Sequence, residues 1–166
     1  MPRGGAVSEL ITCPVAEKTG ENTPLRVLFV CTGNTCRSPM AAALLSHMAE
    51  RDTPPRFTAD SAGLFATEGA PMSENAVAAL RGMGITPPSH TARRVTRAQL
   101  ENTDLIVGLT ASHAMELAMR APDLVERITT LPMDIADPYG GDAEVYARCA
   151  EQLRLSLEIA FFGGDV

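Results

Sequence analysis

The sequence predicts an α/β fold, a single three-layer domain in which helices flank a four-stranded parallel sheet. From Leu25 onward, short apolar or β-branched runs alternate with segments of helical periodicity, which is typical of this fold class. The first of these runs leads through a short polar loop directly into a helical segment. The chain has 166 residues, of which 45% are hydrophobic, so it can bury one core but not two ordinary enzyme domains.

Composition separates residues 1–24 from the rest of the chain. They mix Pro, Gly, Glu, Lys, Thr and Asn around one brief apolar patch, Leu10-Ile11, and show no sustained period. We therefore predict a loosely ordered N-terminal extension over residues 1–24 and one folded domain over residues 25–166.

Four short segments have the apolar or β-branched composition of strands, and they lie at residues 25–30, 57–61, 105–109 and 127–131. Helices are predicted between them. After the first strand, Ser38 followed by Pro39 fits an N-cap with proline at the first helical position. The buried face of this helix is predicted to consist of Met40, Ala41, Leu44, Leu45 and Met48.

The later helices are indicated by their ends and by their apolar spacing. A helix is predicted over residues 73–81, where Gly82 stops it. Thr96 and Gln99 form a capping-box pattern before a short helix. In the last helix the apolar residues repeat at helical spacing, at Tyr146, Cys149, Ala150, Leu153, Leu157, Ala160 and Phe161.

Residues 31–38, Cys-Thr-Gly-Asn-Thr-Cys-Arg-Ser, follow the first predicted strand without a gap. A strand that ends in a tight polar loop and enters a helix aims several backbone N–H groups at one point, which suits a phosphate-sized anion. Cys31 lies inside this positive loop, and helix dipoles together with Arg37 favour its nucleophilic thiolate form. The alternative for Cys31 is a buried thiol at a strand end. Because ligands of open α/β sheets bind at the carboxyl ends of the strands, position and motif agree.

The residue types of this loop each suit a phosphate site. Arg37 presents a planar fork of donors that can hold two phosphoryl oxygens. Ser38 can donate a hydrogen bond toward the Cys31 sulfur and help it leave as a thiolate. Gly33 and Asn34 tolerate the positive φ that an inward-curling loop requires. We therefore predict that residues 31–38 form a phosphate-binding loop.

A nucleophile that displaces phosphate from a poor leaving group also needs an acid. Asp137, in the turn-rich stretch 137–140 after the fourth predicted strand, is the strongest candidate, because this stretch can fold over the carboxyl end of the sheet. Asp134 and Asp142 are competitors that rank below it. Asp137-Pro138 can also serve simply to start a turn.

Composition excludes several classes of protein. A net charge of −6 lacks the basic footprint of a nucleic-acid binder, so no nucleic-acid partner is predicted. No apolar stretch reaches the ~20 residues of a membrane span, and the N-terminus lacks a signal-like apolar core, so we predict a cytoplasmic protein that does not enter membranes. The four cysteines lack the paired spacing of a zinc site and are predicted to be reduced thiols.

Residues 30–39, together with Asp137-Pro138-Tyr139, resemble the low-molecular-weight protein tyrosine phosphatase family, and the similarity extends over about residues 25–162. The stretches 61–63 and 89–93 match as well. The resemblance implies a catalytic domain over residues 25–166 that acts on phosphorylated proteins or peptides without a metal or other cofactor. Cys31 would attack phosphorus, and Asp137 would protonate the leaving group and then activate water.

The resemblance also implies supporting and specificity roles. Ser61 and His90 would hold Asn34, and thus the loop Thr32-Gly33-Asn34-Thr35-Cys36, in shape. Thr35 resembles the threonine of bacterial protein arginine phosphatases, where tyrosine phosphatases have a bulky aliphatic residue. A hydroxyl there can hydrogen-bond a guanidinium or orient water. Tyr139 resembles tyrosine phosphatases, since an arginine phosphatase would favour phenylalanine. The predicted function is phosphoarginine hydrolysis through a phosphocysteine, with tyrosine phosphatase as the alternative.

Two further functions fit the sequence less well. An arsenate reductase built on the same loop needs resolving thiols on a mobile segment, and the chain has no cysteine between Cys36 and Cys149. A phosphate-binding module without turnover would have no use for a leaving-group acid such as Asp137. The sequence assigns no oligomeric state.

Other cysteines, histidines and arginines leave alternatives open. Cys36 is either a packing residue or the partner of Cys31 in a reversible disulfide. Cys149 is predicted to pack in the core. His47 and His113 are predicted at surface or boundary positions on helices. The arginines 93, 94 and 97 are either a solvated helix approach or an attractor for acidic phosphoprotein segments.

Overall fold

The computed structural model describes residues 23–163. In chain order its elements are β1 (Leu25–Cys31), α1 (Arg37–Ala49), β2 (Phe57–Gly63), α2 (Glu74–Gly82), α3 (Arg97–Glu101), β3 (Leu105–Gly108), α4 (Ala111–Arg120), a 3-10 helix (Pro122–Arg127), β4 (Ile128–Thr130) and α5 (Ala143–Phe162). The predicted N-terminal extension over residues 1–24 lies almost wholly outside the described residues and stays a prediction.

The sheet has four parallel strands in the order β2-β1-β3-β4. Pairing of β1 with β2 continues to Cys31 opposite Gly63, so both strands extend beyond their predicted ends. β4 is shorter than predicted because Arg127 still belongs to the preceding 3-10 helix. The predicted four-stranded parallel sheet is confirmed.

Strand β1 divides the core into two layers, because alternate side chains of a strand point to opposite faces of the sheet. Phe29 lies in the larger apolar cluster, which contains the buried faces of α1 and α5. Leu28 and Val30 lie in the smaller cluster beneath α3 and α4. Phe29 is fully buried, and removing such a side chain from water contributes about 2–3 kcal/mol to stability. Helices thus cover both faces, as the three-layer prediction requires.

The ends of two helices differ from their predicted positions. Helix α1 begins at Arg37 with Cys36 at the N-cap, so Ser38 is not the cap; its buried hydroxyl is turned toward Cys31 instead. Helix α2 includes Gly82, and the left-handed residue that redirects the chain is Gly84, with φ of 79°. Only a residue without a Cβ adopts that conformation easily, which is why the turn is delayed to Gly84.

The capping box and the last helix are as predicted. Thr96 Oγ1 accepts the Gln99 backbone N–H at 3.1 Å, and Gln99 Oε1 accepts the Thr96 N–H at 3.3 Å. Helix α5 begins after Asp142, whose carboxylate accepts the Val145 N–H, and ends before Gly163 in the left-handed conformation. Across residues 23–163, no helix combines the length and apolar character that a membrane crossing needs.

Candidate active site

The loop between β1 and α1 surrounds the Cys31 sulfur with hydrogen-bonding groups. Ser38 Oγ lies 2.9 Å from Cys31 Sγ, and the backbone N–H of Asn34 points to the same sulfur at 3.4 Å. Cys31 is a free, buried thiol at the carboxyl end of a central strand. If Cys31 is a thiolate, the Ser38 hydroxyl and the Asn34 N–H can both donate to its sulfur.

Asn34 joins the loop to its supports. Its Nδ2 donates to Ser38 Oγ at 2.8 Å and to Ser61 Oγ at 3.0 Å. Its Oδ1 accepts the Arg93 backbone N–H, and its carbonyl lies 2.8 Å from His90 Nε2. Ser61 and His90 are therefore both attached to the loop through Asn34, and every polar group of this buried amide is engaged.

Positive φ occurs at only one of the two loop residues for which it was predicted. Asn34 has φ of 58°, whereas Gly33 has none in this region. Asparagine tolerates the left-handed conformation better than most residues, and its four hydrogen bonds hold it there. Gly33 instead lines the pocket without a side chain that would narrow it.

Arg37 and Asp137 face each other across the site. Arg37 is only 6% exposed, and its Nη1 donates to the Ile135 carbonyl at 3.0 Å. Its Nη2 lies 3.6 Å from Asp137 Oδ2. The Asp137 side chain is 53% exposed, so it can reach a molecule that enters the site. The contact with Ile135 orients the guanidinium and leaves other N–H donors available for an anion.

Of three candidate carboxylates, Asp137 is the one that pairs with Arg37. Asp134 accepts the Ala111 N–H at 2.9 Å at the start of α4, and Asp142 caps α5. Asp137 also starts a turn, because its Oδ1 accepts the Tyr139 N–H at 3.1 Å. The turn and the ion pair are thus compatible, since each uses a different carboxylate oxygen.

A pocket of about 200 Å³ contains these groups together. A larger cavity of about 540 Å³ lies elsewhere, against Ser61 and His90, and is lined by none of residues 31–37. The smaller pocket is the candidate active site because it holds the paired arginine and carboxylate beside the thiol. Its lining residues are Cys31, Thr32, Gly33, Asn34, Thr35, Cys36, Arg37, Asp137 and Tyr139.

Thr35 and Tyr139, the two residues with a predicted role in substrate specificity, differ in exposure. Thr35 is half-buried, and its backbone carbonyl accepts the Ser73 N–H at 3.0 Å, which ties the loop to the start of α2. Tyr139 is 82% exposed and stands at the rim. A change at Thr35 therefore alters the interior of the pocket, whereas a change at Tyr139 alters its entrance.

Cys36 and Cys149 are both buried free thiols. Cys36 Sγ lies 3.3 Å from the Tyr146 hydroxyl, and burial together with this contact raises the pKa of Tyr146. Burial raises the pKa of Cys149 to about 11, which keeps that thiol protonated in the apolar core. Packing by Cys149 agrees with the prediction, and a disulfide between Cys31 and Cys36 remains a prediction.

The three arginines at 93, 94 and 97 are each engaged by neighbours. Arg93 pairs with Asp60, and Arg97 pairs with Asp123 and Glu101. Arg94 Nε donates to the Ala66 carbonyl at 2.9 Å. These contacts favour the interpretation of the three arginines as a solvated approach to a helix. They argue against a binding surface for acidic segments, because neighbouring groups already engage the arginines.

The predicted surface or boundary position of His113 is wrong. The residue lies beside the pocket and is only 6% exposed. Its Nε2 lies 3.0 Å from Thr32 Oγ1 and its Nδ1 lies 3.1 Å from Thr110 Oγ1. Burial, followed by the charge of Arg37, lowers the pKa of His113 to about 4. The sequence analysis did not place His113 at the site. A signal was present, because β3 ends at the same edge of the sheet as Cys31 and the next helix begins after Thr110, three residues before His113.

Gly63 lets β2 approach the loop closely. A Cβ added there would lie 2.7 Å from the Thr32 carbonyl oxygen and 2.9 Å from Ala66 Cβ. We expect Gly63→Ala to lower the free energy of unfolding by about 1–3 kcal/mol, because backbone atoms must move. Urea denaturation measures this change. The control is Gly82→Ala, which meets no neighbour and is expected to be neutral or to stabilise by up to ~1 kcal/mol. Equal stabilities of the two variants would contradict the close approach.

Comparison with known proteins agrees with this geometry. The family model described as low molecular weight phosphotyrosine protein phosphatase matches residues 26–160. A protein-arginine-phosphatase of Geobacillus stearothermophilus is 37% identical over 142 residues, which cover 81% of this chain and 93% of that protein. A low molecular weight protein-tyrosine-phosphatase, PtpB of Staphylococcus haemolyticus, is 34% identical over 135 residues, with coverage of 78% and 92%.

A solved structure of the YwlE arginine phosphatase is similar throughout the domain. That protein is a cysteine-to-serine mutant with a phosphorylated active-site serine. It matches with a TM-score of 0.77 at 32% identity, over 82% of this chain and 93% of that one. The matches in sequence and in structure confirm the resemblance on which the predicted fold and chemistry depend. This chain belongs to the low molecular weight phosphotyrosine protein phosphatase family.

Proposed function

We propose that this protein hydrolyses phosphoarginine on proteins through a phosphocysteine intermediate formed on Cys31. The observation that carries the proposal is the polar side chain of Thr35 in the pocket that also holds Cys31, Arg37 and Asp137. Relatives named as arginine phosphatases support it. A cytoplasmic location is part of the proposal, because the reaction needs Cys31 as a thiolate and the cytosol keeps thiols reduced.

In the first step the Cys31 thiolate attacks phosphorus. An S–P bond forms as the P–N bond to the arginine side chain breaks, and Asp137 gives its proton to the departing guanidine nitrogen. The Ser38 hydroxyl and the Asn34 N–H stabilise the thiolate before attack, at 2.9 and 3.4 Å from the sulfur. Asp137 is left as a carboxylate.

In the second step water releases the phosphate. The Asp137 carboxylate accepts a proton from a water molecule as the water oxygen attacks phosphorus and the S–P bond breaks. The electron pair returns to Cys31, and the Ser38 hydroxyl stabilises the thiolate that forms. The cycle ends with inorganic phosphate, free arginine on the protein, and Asp137 protonated again.

Arg37 binds the phosphoryl group in both steps. Its guanidinium is already oriented by the Ile135 carbonyl and faces Asp137, so little freedom is lost when substrate enters. A planar guanidinium can donate to two phosphoryl oxygens at once, and this interaction strengthens as negative charge accumulates on them in the transition state.

Thr35 favours the polar substrate over the aromatic one. A phosphorylated guanidinium retains N–H donors that need acceptors in a tight pocket, and leaving them unpaired is costly. The Thr35 hydroxyl oxygen and the Asp137 carboxyl group, which keeps an acceptor oxygen when it is protonated, line the same pocket. A branched hydrocarbon at position 35 would offer no such acceptor and would suit a phenyl ring better.

The second candidate function is tyrosine phosphatase activity. Tyr139 at the rim favours it, because an exposed aromatic ring can stack on the ring of phosphotyrosine. Relatives named as tyrosine phosphatases support it as well. The same Cys31, Arg37 and Asp137 would perform the reaction, so the two candidates differ only in the residue that is dephosphorylated.

Phosphate release from paired peptides that carry phosphoarginine or phosphotyrosine distinguishes the candidates. For the native protein we expect kcat/KM to favour phosphoarginine. Thr35→Ile is expected to shift the ratio of the two kcat/KM values toward phosphotyrosine by at least about tenfold, because a polar contact is lost.

Thr35→Ser is the matched control, since it keeps the hydroxyl, and its ratio is expected to stay near that of the native protein. Dominant phosphotyrosine turnover that Thr35→Ile leaves unchanged would return the protein to the general tyrosine phosphatase class.

A further inference from the structure

A buried histidine connects the start of the phosphate-binding loop to helix α4. Thr110, the N-cap residue of α4, accepts the backbone N–H of His113 through its side-chain oxygen at 3.2 Å. The His113 ring then lies between Thr110 Oγ1 and Thr32 Oγ1, at 3.1 and 3.0 Å. The reaction steps derived above give this chain of three polar side chains no role.

The neutral imidazole can carry its proton on either ring nitrogen, and the two tautomers give Thr32 opposite roles. Thr110 Oγ1 accepts a backbone N–H and has a hydroxyl proton that it can donate to His113 Nδ1. In that tautomer His113 Nε2 carries the ring proton and donates to Thr32 Oγ1. Burial and the positive charge of Arg37 lower the pKa of His113 to about 4, against the smaller opposite effects of Asp137 and Asp134. The ring is therefore neutral at neutral pH.

With the ring proton on Nε2, Thr32 Oγ1 accepts from His113 and its own hydroxyl proton is available to another acceptor. The Thr32 carbonyl accepts the Phe65 N–H at 2.9 Å. The residue is thus held from two sides, yet it is exposed and lines the pocket beside Cys31. A hydroxyl whose oxygen accepts one hydrogen bond can still donate its own proton to an incoming acceptor.

We propose that His113 carries its ring proton on Nε2 and is a positioning residue, which holds Thr32 so that the Thr32 hydroxyl donates to a phosphoryl oxygen bound in the pocket. The inference rests on the proposed function, because it concerns the same phosphate-binding loop. The bound phosphoryl group would then receive a neutral hydrogen-bond donor from Thr32 in addition to the charged donors of Arg37. The bond from His113 fixes the rotation of the Thr32 side chain, so its donor is in place before phosphate arrives.

Two variants at position 113 separate positioning from a purely structural role. Glutamine carries an N–H donor about as far from its Cα as the imidazole Nε2, but it has no acceptor at the position of Nδ1, which contacts Thr110. Leucine has a similar size and no donor. Both variants lose the Thr110 contact, so we expect similar decreases in thermal unfolding midpoint. Only His113→Leu loses the donor to Thr32.

The readouts are the inhibition constant of inorganic phosphate and the kcat/KM for p-nitrophenyl phosphate, a substrate that both candidate functions would accept. His113→Leu is expected to weaken phosphate inhibition and lower kcat/KM by about five- to tenfold, the value of one hydrogen bond. His113→Gln is expected to stay within about twofold of the native protein. Thr32→Val is expected to match His113→Leu, and the double variant is expected to lose little more, because both changes remove one interaction.

Equal losses in His113→Gln and His113→Leu that follow their unfolding midpoints would show a structural role only and overturn the inference. Additive losses in the double variant would also overturn it. Failure of the proposed function looks different. A native protein that prefers phosphotyrosine to phosphoarginine would refute the proposed substrate and leave the results at positions 32 and 113 unchanged. A native protein that neither turns over p-nitrophenyl phosphate nor binds inorganic phosphate would overturn both the proposed function and the inference.

Discussion

Replacing Cys31 by serine is expected to lower turnover of phosphoarginine peptides by at least about 10⁴-fold, because a neutral hydroxyl replaces the thiolate that we propose as the nucleophile. Binding of inorganic phosphate is expected to persist, since Arg37 and the backbone N–H groups of the loop are unchanged. Phosphate release measures the first effect and titration calorimetry the second. Loss of both together would indicate a damaged loop.

Cys149→Ser provides the matched control for this experiment. It makes the same chemical change at another buried thiol, which packs on α5 in the apolar core. Its turnover is expected to remain close to that of the native protein, while its unfolding midpoint decreases, because a hydroxyl is buried among apolar groups. Comparable activity of Cys31→Ser and the native protein would refute the assignment of the nucleophile.

Replacing Asp137 by asparagine is expected to lower kcat by about 10²–10⁴-fold with a much smaller change in KM, because the variant can bind the phosphoryl group but cannot donate a proton. The loss should depend on the leaving group. p-Nitrophenolate leaves readily without protonation, so its turnover should decrease far less than that of phosphotyrosine or phosphoarginine. Steady-state kinetics on the three substrates tests this dependence.

Asp134→Asn is the control for the acid, because Asp134 lies nearby but accepts the Ala111 N–H at the start of α4. We expect its kcat to stay within a few-fold of the native value for all three substrates. A large, leaving-group-dependent loss in Asp134→Asn and a small one in Asp137→Asn would transfer the acid role to Asp134.

The architecture could be predicted from the sequence because its signals are local. Strand β1, the loop and α1 are consecutive, and the apolar periods on either side identify a strand and a helix without knowledge of the rest of the chain. The last helix was equally clear from its apolar spacing. The predicted ends of the strands were less accurate. Strand β2 extends to Gly63 because it pairs with β1, and β4 is shorter than predicted because Arg127 belongs to a 3-10 helix.

Some residues were misjudged because their environment comes from distant segments. His113 has the sequence context of an ordinary amphipathic helix, yet α4 starts at the sheet edge where Thr32 lies, which buries the ring. Gly33 and Asn34 are both tolerant of positive φ, and local sequence does not say which one adopts it. The bonds from Asn34 to Ser61, His90 and Arg93 decide in favour of Asn34.

The alternation of strand-like and helical patterns is enough to predict the fold class, and contiguous residues 31–38 at the end of a strand are enough to predict the thiol, the arginine and the serine of the loop. That Asp137 faces Arg37 while Asp134 and Asp142 do not, and that His113 contacts Thr32, follows from the three-dimensional arrangement alone. The physical reason is that parallel strands bring their carboxyl ends to one edge, and the path of each connecting segment over that edge depends on packing between layers that are remote in sequence.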